Sequence, residues 1–192
     1  MLSPAGLPKH AATHVSRAAS LLDPVCGALQ LLDEQFYDDT KFYEVIDGTT
    51  SRGIKVVQGG IGATPEANRK WAASSIKDDP KKVTNGKGMV AFAQLGPDAR
   101  STQIVIHLAD NSRMFDGGGG QALTPFAEVI DGLSVLENLP GTGPIGDRDD
   151  DAIHKAVEYG NPYMDDIAPD LAYIKTARYS SRALVPSMSD YA

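Results

Sequence analysis

One cysteine, Cys26, supplies all the thiol chemistry in 192 residues. A lone cysteine cannot build an internal disulfide framework or a cysteine-ligated zinc site, and it is expected to behave as a small buried hydrophobe. Basic residues are also sparse: 18 Lys and Arg stand against 25 Asp and Glu, for a formal net charge of -7. Phosphate backbones are bound by concentrated Lys and Arg, so nucleic acid is not an expected partner. No run approaches the roughly 18 apolar residues of a helical membrane span, which argues against an integral membrane protein. Internal repeats are missing too, which excludes a solenoid. What remains is ordinary for a globular chain, with 42% hydrophobic and 22% charged residues, a length suited to one domain with a substantial core.

Along the chain, Pro4, Gly6 and Pro8 predict an irregular arm over residues 1–14. Its composition through residue 22 includes Lys9, His10, His14 and Arg17 with no acidic residue. That resembles an organelle transit segment and points to a mitochondrial or plastid interior, while no secretory pattern is visible. Residues 15–22 read as a weak strand. Val25, Ala28, Leu29 and Leu32 follow at helical spacing behind Asp23-Pro24, which predicts a short amphipathic helix. Met89 to Ala93 and Gln103 to Leu108 read as two apolar strands joined by a Gly-Pro loop. Ala152 to Tyr159 reads as helix, and Leu171 to Ala177 alternates like a half-buried strand. The domain is expected over 15–179, with a loose tail at 180–192.

Four patterns mimic sites and fail on chemistry. Asp147, Asp149, Asp151 and Glu158 fit positions 1, 3, 5 and 12 of a calcium loop, but Ala152 stands where glycine is required and no entering helix precedes them. Gly117 to Gly120 lacks the Lys-Ser/Thr of a phosphate loop and reads as a turn. His10 and His14 share helical spacing among Pro and Gly without a zinc-protease glutamate. His107 lies on an apolar strand and reads as a hydrogen-bonded wall residue. No metal or cofactor is expected.

Several separated segments do form a consistent set. Phe36-Tyr37-Asp38-Asp39-Thr40-Lys41-Phe42-Tyr43-Glu44-Val45-Ile46, Gln58-Gly59-Gly60, Phe92-Ala93-Gln94, Gly96-Pro97-Asp98, Thr102-Gln103-Ile104-Val105 and Pro125-Phe126-Ala127-Glu128-Val129 occur in that order. Together, over roughly residues 22–178, they resemble the cyclophilin family of peptidyl-prolyl cis-trans isomerases, in its bacterial-type form. The resemblance implies a mainly β fold, a closed antiparallel β-barrel with capping helices. Its first strand is expected to be missing or degenerate, because only one strand fits before Pro24. A polar insertion of about six residues after Gly48 is expected to form a surface loop.

The resemblance also locates a site. Cyclophilins speed rotation about X-Pro bonds, whose barrier is about 20 kcal/mol, by gripping the proline ring in an apolar groove and donating hydrogen bonds to the twisted amide. Carried over position by position, the groove falls on Lys55, Val56, Gln58, Ala93, Gln94, Gln103, Val105, Phe115 and Leu123. The family's donor arginine falls on Glu44. An ionised carboxylate only accepts, and Arg52, in the inserted loop, is poorly placed to substitute. The aromatic floor has become Lys55, and the phenylalanine two residues after Gln103 has become Val105. The expectation is therefore a cyclophilin-like, protein-binding or architectural subunit with weak or no isomerase activity, the alternative being an active isomerase. Proline-containing segments are candidate ligands, and the barrel edge left by the missing strand is the expected contact for a protein partner.

Overall fold

The computed structural model describes residues 14–17, 23–49, 53–94, 96–117, 122–140 and 150–178. In chain order these form β1 (His14–Arg17), α1 (Asp23–Asp33), β2 (Phe42–Asp47), β3 (Lys55–Gly59), α2 (Pro65–Trp71), β4 (Met89–Phe92), β5 (Ile104–His107), α3 (Ser112–Phe115), β6 (Pro125–Asp131), α4 (Leu133–Glu137), α5 (Asp150–Tyr159) and α6 (Asn161–Ile167). The strands make one antiparallel sheet in the order β1-β6-β4-β5-β3-β2.

Period-two alternation splits the sheet into two faces. One face turns Phe42, Val57, Val90, Ile106, Ala127 and Val129 into the main core with Leu136. A second core joins Leu31 of α1 to Phe36, Tyr37, Trp71 and Phe92. Phe92 stacks on Phe126 at 4.5 Å between ring centroids. The helix α1 begins where Asp23-Pro24 predicted, since proline in the first turn lacks only a donor that no carbonyl would accept. Its neighbour α2 starts the same way: Thr64 caps the Ala67 N–H at 3.2 Å and Pro65 follows.

Three features depart from the sequence reading. The first strand is β1, shorter and earlier than residues 15–22, and it pairs with β6. His14 therefore belongs to the sheet rather than to the arm, while residues 1–13 lie outside the described residues. The segment 171–177 alternates in polarity but forms a single bridge, Tyr173 to Lys41, flanked by the bonds from the Phe42 N–H to the Ala172 carbonyl and from the Ile174 N–H to the Thr40 carbonyl. Alternation states which side chains are half-buried, not whether the backbone is paired. Among the described residues the sheet thus ends at β1 and β2, with 171–174 laid against the approach to β2, and is not seen to close. Also outside the described residues are Arg52 of the insertion, Gly118 to Gly120, Asp147, Asp149 and the tail from 179 onward.

The strand β2 carries a bulge that matters for function. Phe42 lies opposite Gly59 and Glu44 opposite Gln58, so Tyr43 is an extra residue without a partner of its own. The bulge resets the alternation: Phe42 and Val45 face the main core, whereas Glu44 and Ile46 face the other side. At the end of β3, Gly60 has φ +94°, and a Cβ there would sit 2.4 Å from the Thr102 carbonyl oxygen. Only glycine lets the chain leave β3 so close to the segment that delivers Gln103.

Candidate functional site

The side of the sheet away from the main core carries a second apolar cluster made of Val56, Ala91, Val105 and Leu123, packed by Ile46, Ile54, Ala93 and Phe115. Five of the positions carried over from sequence, Val56, Ala93, Val105, Phe115 and Leu123, are brought together here. Register explains the assembly: Glu44, Gln58, Val105 and Ala91 face one another across β2, β3, β5 and β4, and Ile46, Val56 and His107 form the next row. Val56, Val105 and Leu123 are 3%, 5% and 3% exposed. Each such burial is worth about 2 kcal/mol, so these side chains hold the face together.

The polar end of this face is organised by the bulged residue. The Tyr43 hydroxyl donates to Gln103 Oε1 at 2.7 Å and accepts from Gln58 Nε2, which also lies 3.2 Å from Gln103 Oε1. Tyr43 is buried, and that burial, with a smaller contribution from the charge of Glu44, pushes its hydroxyl well above the usual phenol range against the opposing effect of the Gln58 bond. It stays a neutral donor. Gln103 Oε1 is thereby committed to both neighbours. Glu44 is half-buried beside this triad.

The remaining predicted residues stand at the margins. Gln94 Nε2 donates to the Ala122 carbonyl at 3.1 Å and ties the end of β4 to the wall that bears Leu123. The Leu123 N–H in turn donates to the Phe115 carbonyl at 3.0 Å. Lys55 lies apart from the cluster. It is exposed at the start of β3, opposite Asp47, with its stem over Gly48. Ile54 occupies the place on this face that counting back from the Gln-Gly-Gly motif assigned to Lys55. Counting in twos from Gln58 through Val56 reaches Ile54, so the signal was present as alternation. Tyr43 had no such signal, since a bulge leaves the sequence pattern unmarked.

Behind Phe115 lies a buried polar strut. Asn85 Nδ2 donates to the carbonyls of Phe115 and Leu123, each at 2.9 Å, and to Asp116 Oδ1 at 2.7 Å. Burial pushes the Asp116 carboxyl up, but the bonds from Asn85 and the nearby Lys81 outweigh it and hold the group below the usual carboxylate range. Asn111 clamps Lys55 at both backbone groups and reaches His107 Nδ1 at 3.0 Å. His107 is fully buried, and burial drives its pKa down to about 4 despite the opposing charge of Asp116. Contrary to the expectation of a satisfied wall residue, its Nε2 has no partner among the described residues.

Arginines with defined partners point elsewhere: Arg69 pairs with Glu66, Arg178 with Asp38, and the buried Arg100 with Asp78 and Asp79. A separate hollow of about 190 Å³, bounded by Glu34, Phe36, Asp38, Thr64, Lys70 and Trp71, has its acidic groups engaged by Lys70, Trp71 and Arg178. Among the described residues no group of three or more His, Cys, Asp or Glu is arranged to hold a metal ion, and no helix is long and apolar enough to cross a membrane.

Comparison with known proteins identifies the arrangement. The family model described as cyclophilin-type peptidyl-prolyl cis-trans isomerase matches residues 26–157. Peptidyl-prolyl cis-trans isomerase B of Escherichia coli (strain K12) is 32% identical over 135 residues, covering 67% of this chain and 78% of the relative. Among solved structures, the cyclophilin AquaCyp293 from Hirschia baltica aligns with a TM-score of 0.50 at 12% identity, over 71% of this chain and 66% of that one. A cyclophilin-type isomerase from Cryptosporidium parvum, crystallised in the presence of the dipeptide Ala-Pro, aligns with a TM-score of 0.47 at 20% identity, over 66% of this chain and 78% of that one.

Proposed function

This chain belongs to the cyclophilin-type peptidyl-prolyl cis-trans isomerase family, and from that premise we propose that it binds proline-containing segments of other proteins with weak or no isomerase activity, serving as a binding subunit. One observation carries the reading. Where the family places its donor arginine, this chain presents Glu44, opposite Gln58 on the face that bears the apolar cluster. A carboxylate offers no donor to an amide nitrogen that becomes basic as the bond twists, and its negative charge opposes lone-pair density there. The surviving polar groups, Gln58 and Gln103 held by Tyr43, are suited to a peptide backbone, which supports binding without rapid turnover.

The test is a proline-isomerisation assay on Glu44→Arg. A perfectly placed donor is worth about 3 kcal/mol, and one lacking the rest of the family's groove is expected to recover about tenfold in kcat/KM. No gain, with the variant folded, would show that Glu44 is not what limits turnover.

The altered walls support a second expectation. The cyclic peptide cyclosporin fills the groove of family members, and here its floor is built from Ile54, Val56 and Val105, with Val56 and Val105 already buried. With an aliphatic floor in place of an aromatic one, a rigid ligand of that shape should not bind below micromolar concentration. Calorimetry detecting submicromolar affinity would refute this.

A partner at the barrel edge belongs to the same reading. Among the described residues β1 is paired only with β6, and 171–174 touches the sheet at one bridge. Unpaired strand edges are sites of strand addition, which supports attachment there.

A further inference from the structure

His107 carries a hydrogen-bond donor for which the described residues provide no acceptor. The Lys55 N–H donates to Asn111 Oδ1 and Asn111 Nδ2 donates to the Lys55 carbonyl, so the backbone fixes which way the Asn111 amide faces. Its nitrogen is the atom 3.0 Å from His107 Nδ1. Nδ1 is therefore the acceptor, and the neutral ring carries its hydrogen on Nε2. Among the described residues that N–H is buried without a partner, in a ring that is fully buried and faces Phe115 edge-on at 5.5 Å between centroids. Leaving a buried donor unpaired forfeits its hydration with nothing in return, and a leucine or valine would avoid the loss.

The position suggests what the donor is for. His107 lies opposite Val56, one row along from the Gln58–Val105 pair, on the same face of the chain as Gln103 and Val105. From Gln103 to His107 is four residues, about 13 Å at roughly 3.3 Å per residue. The face thus has polar groups at both ends, the Gln58–Gln103–Tyr43 triad at one and His107 at the other, with an apolar floor between. Phe115 covers the histidine end. It is only partly buried and sits on the one-turn helix α3, the last residue before Asp116 and Gly117. Glu44 and Asp116 make the surroundings acidic, which favours a neutral acceptor over a carboxylate or phosphate.

We propose that His107 is a ligand-binding residue of this groove, whose Nε2–H donates to a backbone carbonyl of a bound extended segment of three or four residues once Phe115 moves aside. The proposal rests on the reading of this face as a peptide groove. The test uses N-acetyl-Ala-Ala-Pro-Ala-amide and the whole chain, followed by nuclear magnetic resonance of the backbone amides and the histidine side chain. Binding should shift the Val56, Val105 and Leu123 amides and move the His107 Nε2–H resonance downfield with slower solvent exchange. His107→Asn keeps an acceptor for Asn111 and deletes the distal donor, so it should weaken binding about tenfold. His107→Gln reaches as far as Nε2 and should stay within about threefold of the parent. Groove shifts with an unmoved Nε2–H, or equal affinity in parent and His107→Asn, would overturn the role of His107 alone. The absence of any groove shift at millimolar peptide would overturn the groove reading, and this proposal with it.

Discussion

Purified protein is expected to isomerise a standard X-Pro peptide at least about a hundredfold more slowly than a family member with an intact donor arginine. The magnitude follows from one group. Removing a single preorganised transition-state donor commonly costs about 3 kcal/mol, a factor of a hundred or more. Glu44 removes a donor and adds a charge of the wrong sign, so that figure is a lower bound. A coupled-protease or spectroscopic assay checks this, and a kcat/KM within about tenfold of an intact member would contradict it.

Unfolding free energy is expected to fall by about 3 kcal/mol between pH 6.5 and pH 4, through His107 alone. Its folded pKa is lowered to about 4, so in this window the unfolded chain takes up a proton that the native state refuses. The unfolded form is then favoured by about 1.4 kcal/mol for each unit of pH lost. Above pH 6.5 both states hold a neutral ring, and below pH 4 both hold a charged one, so the slope vanishes at either end. Carboxylates such as Asp38, lowered chiefly by its bonds with Arg178, and Asp116 release their stabilisation as pH falls from the ordinary carboxylate range toward their lowered folded values. The histidine contribution is therefore read from the upper part of the window, above about pH 5, and from the difference between parent and variant below it. Urea titrations at half-unit intervals should show the slope in the parent and a nearly flat profile in His107→Asn. An equal slope in both would place the pH dependence elsewhere.

Much of the fold was legible because its strands are short, apolar and in family order. The strands β4 and β5 fall within the predicted runs, and α1 and α5 fall where helical spacing placed them. Legibility failed where the deciding interaction is non-local. Residues 171–177 carry a strand's alternation, yet their pairing depends on what the neighbouring edge offers, and one bridge results. The helix α2, which no apolar spacing announced, starts at the Thr64 cap and ends at Trp71. The site shows the same division. Val56 and Val105 share one face because period-two geometry is encoded locally, whereas Leu123, outside the strands, is held there by its bond to Phe115. Lys55 and Ile54 exchange places relative to a count of three residues back from Gln58, because side-chain direction follows the two-residue alternation of the strand through Val56. Tyr43 reaches Gln58 and Gln103 only because a bulge turns it, and the tautomer of His107 depends on how Asn111 is held from β3.

A groove that binds proline-containing segments without driving their isomerisation is tested in both respects at once by exchange spectroscopy on one sample. Protein is titrated with an isotope-labelled Ala-Pro peptide while its cis–trans exchange rate and the amide shifts of Val56, Gln58, Gln103 and Val105 are recorded together. The account predicts saturable shifts at those four amides with an exchange rate within a few fold of the free peptide. Saturable shifts accompanied by exchange as fast as an intact family member produces at equal concentration would contradict it.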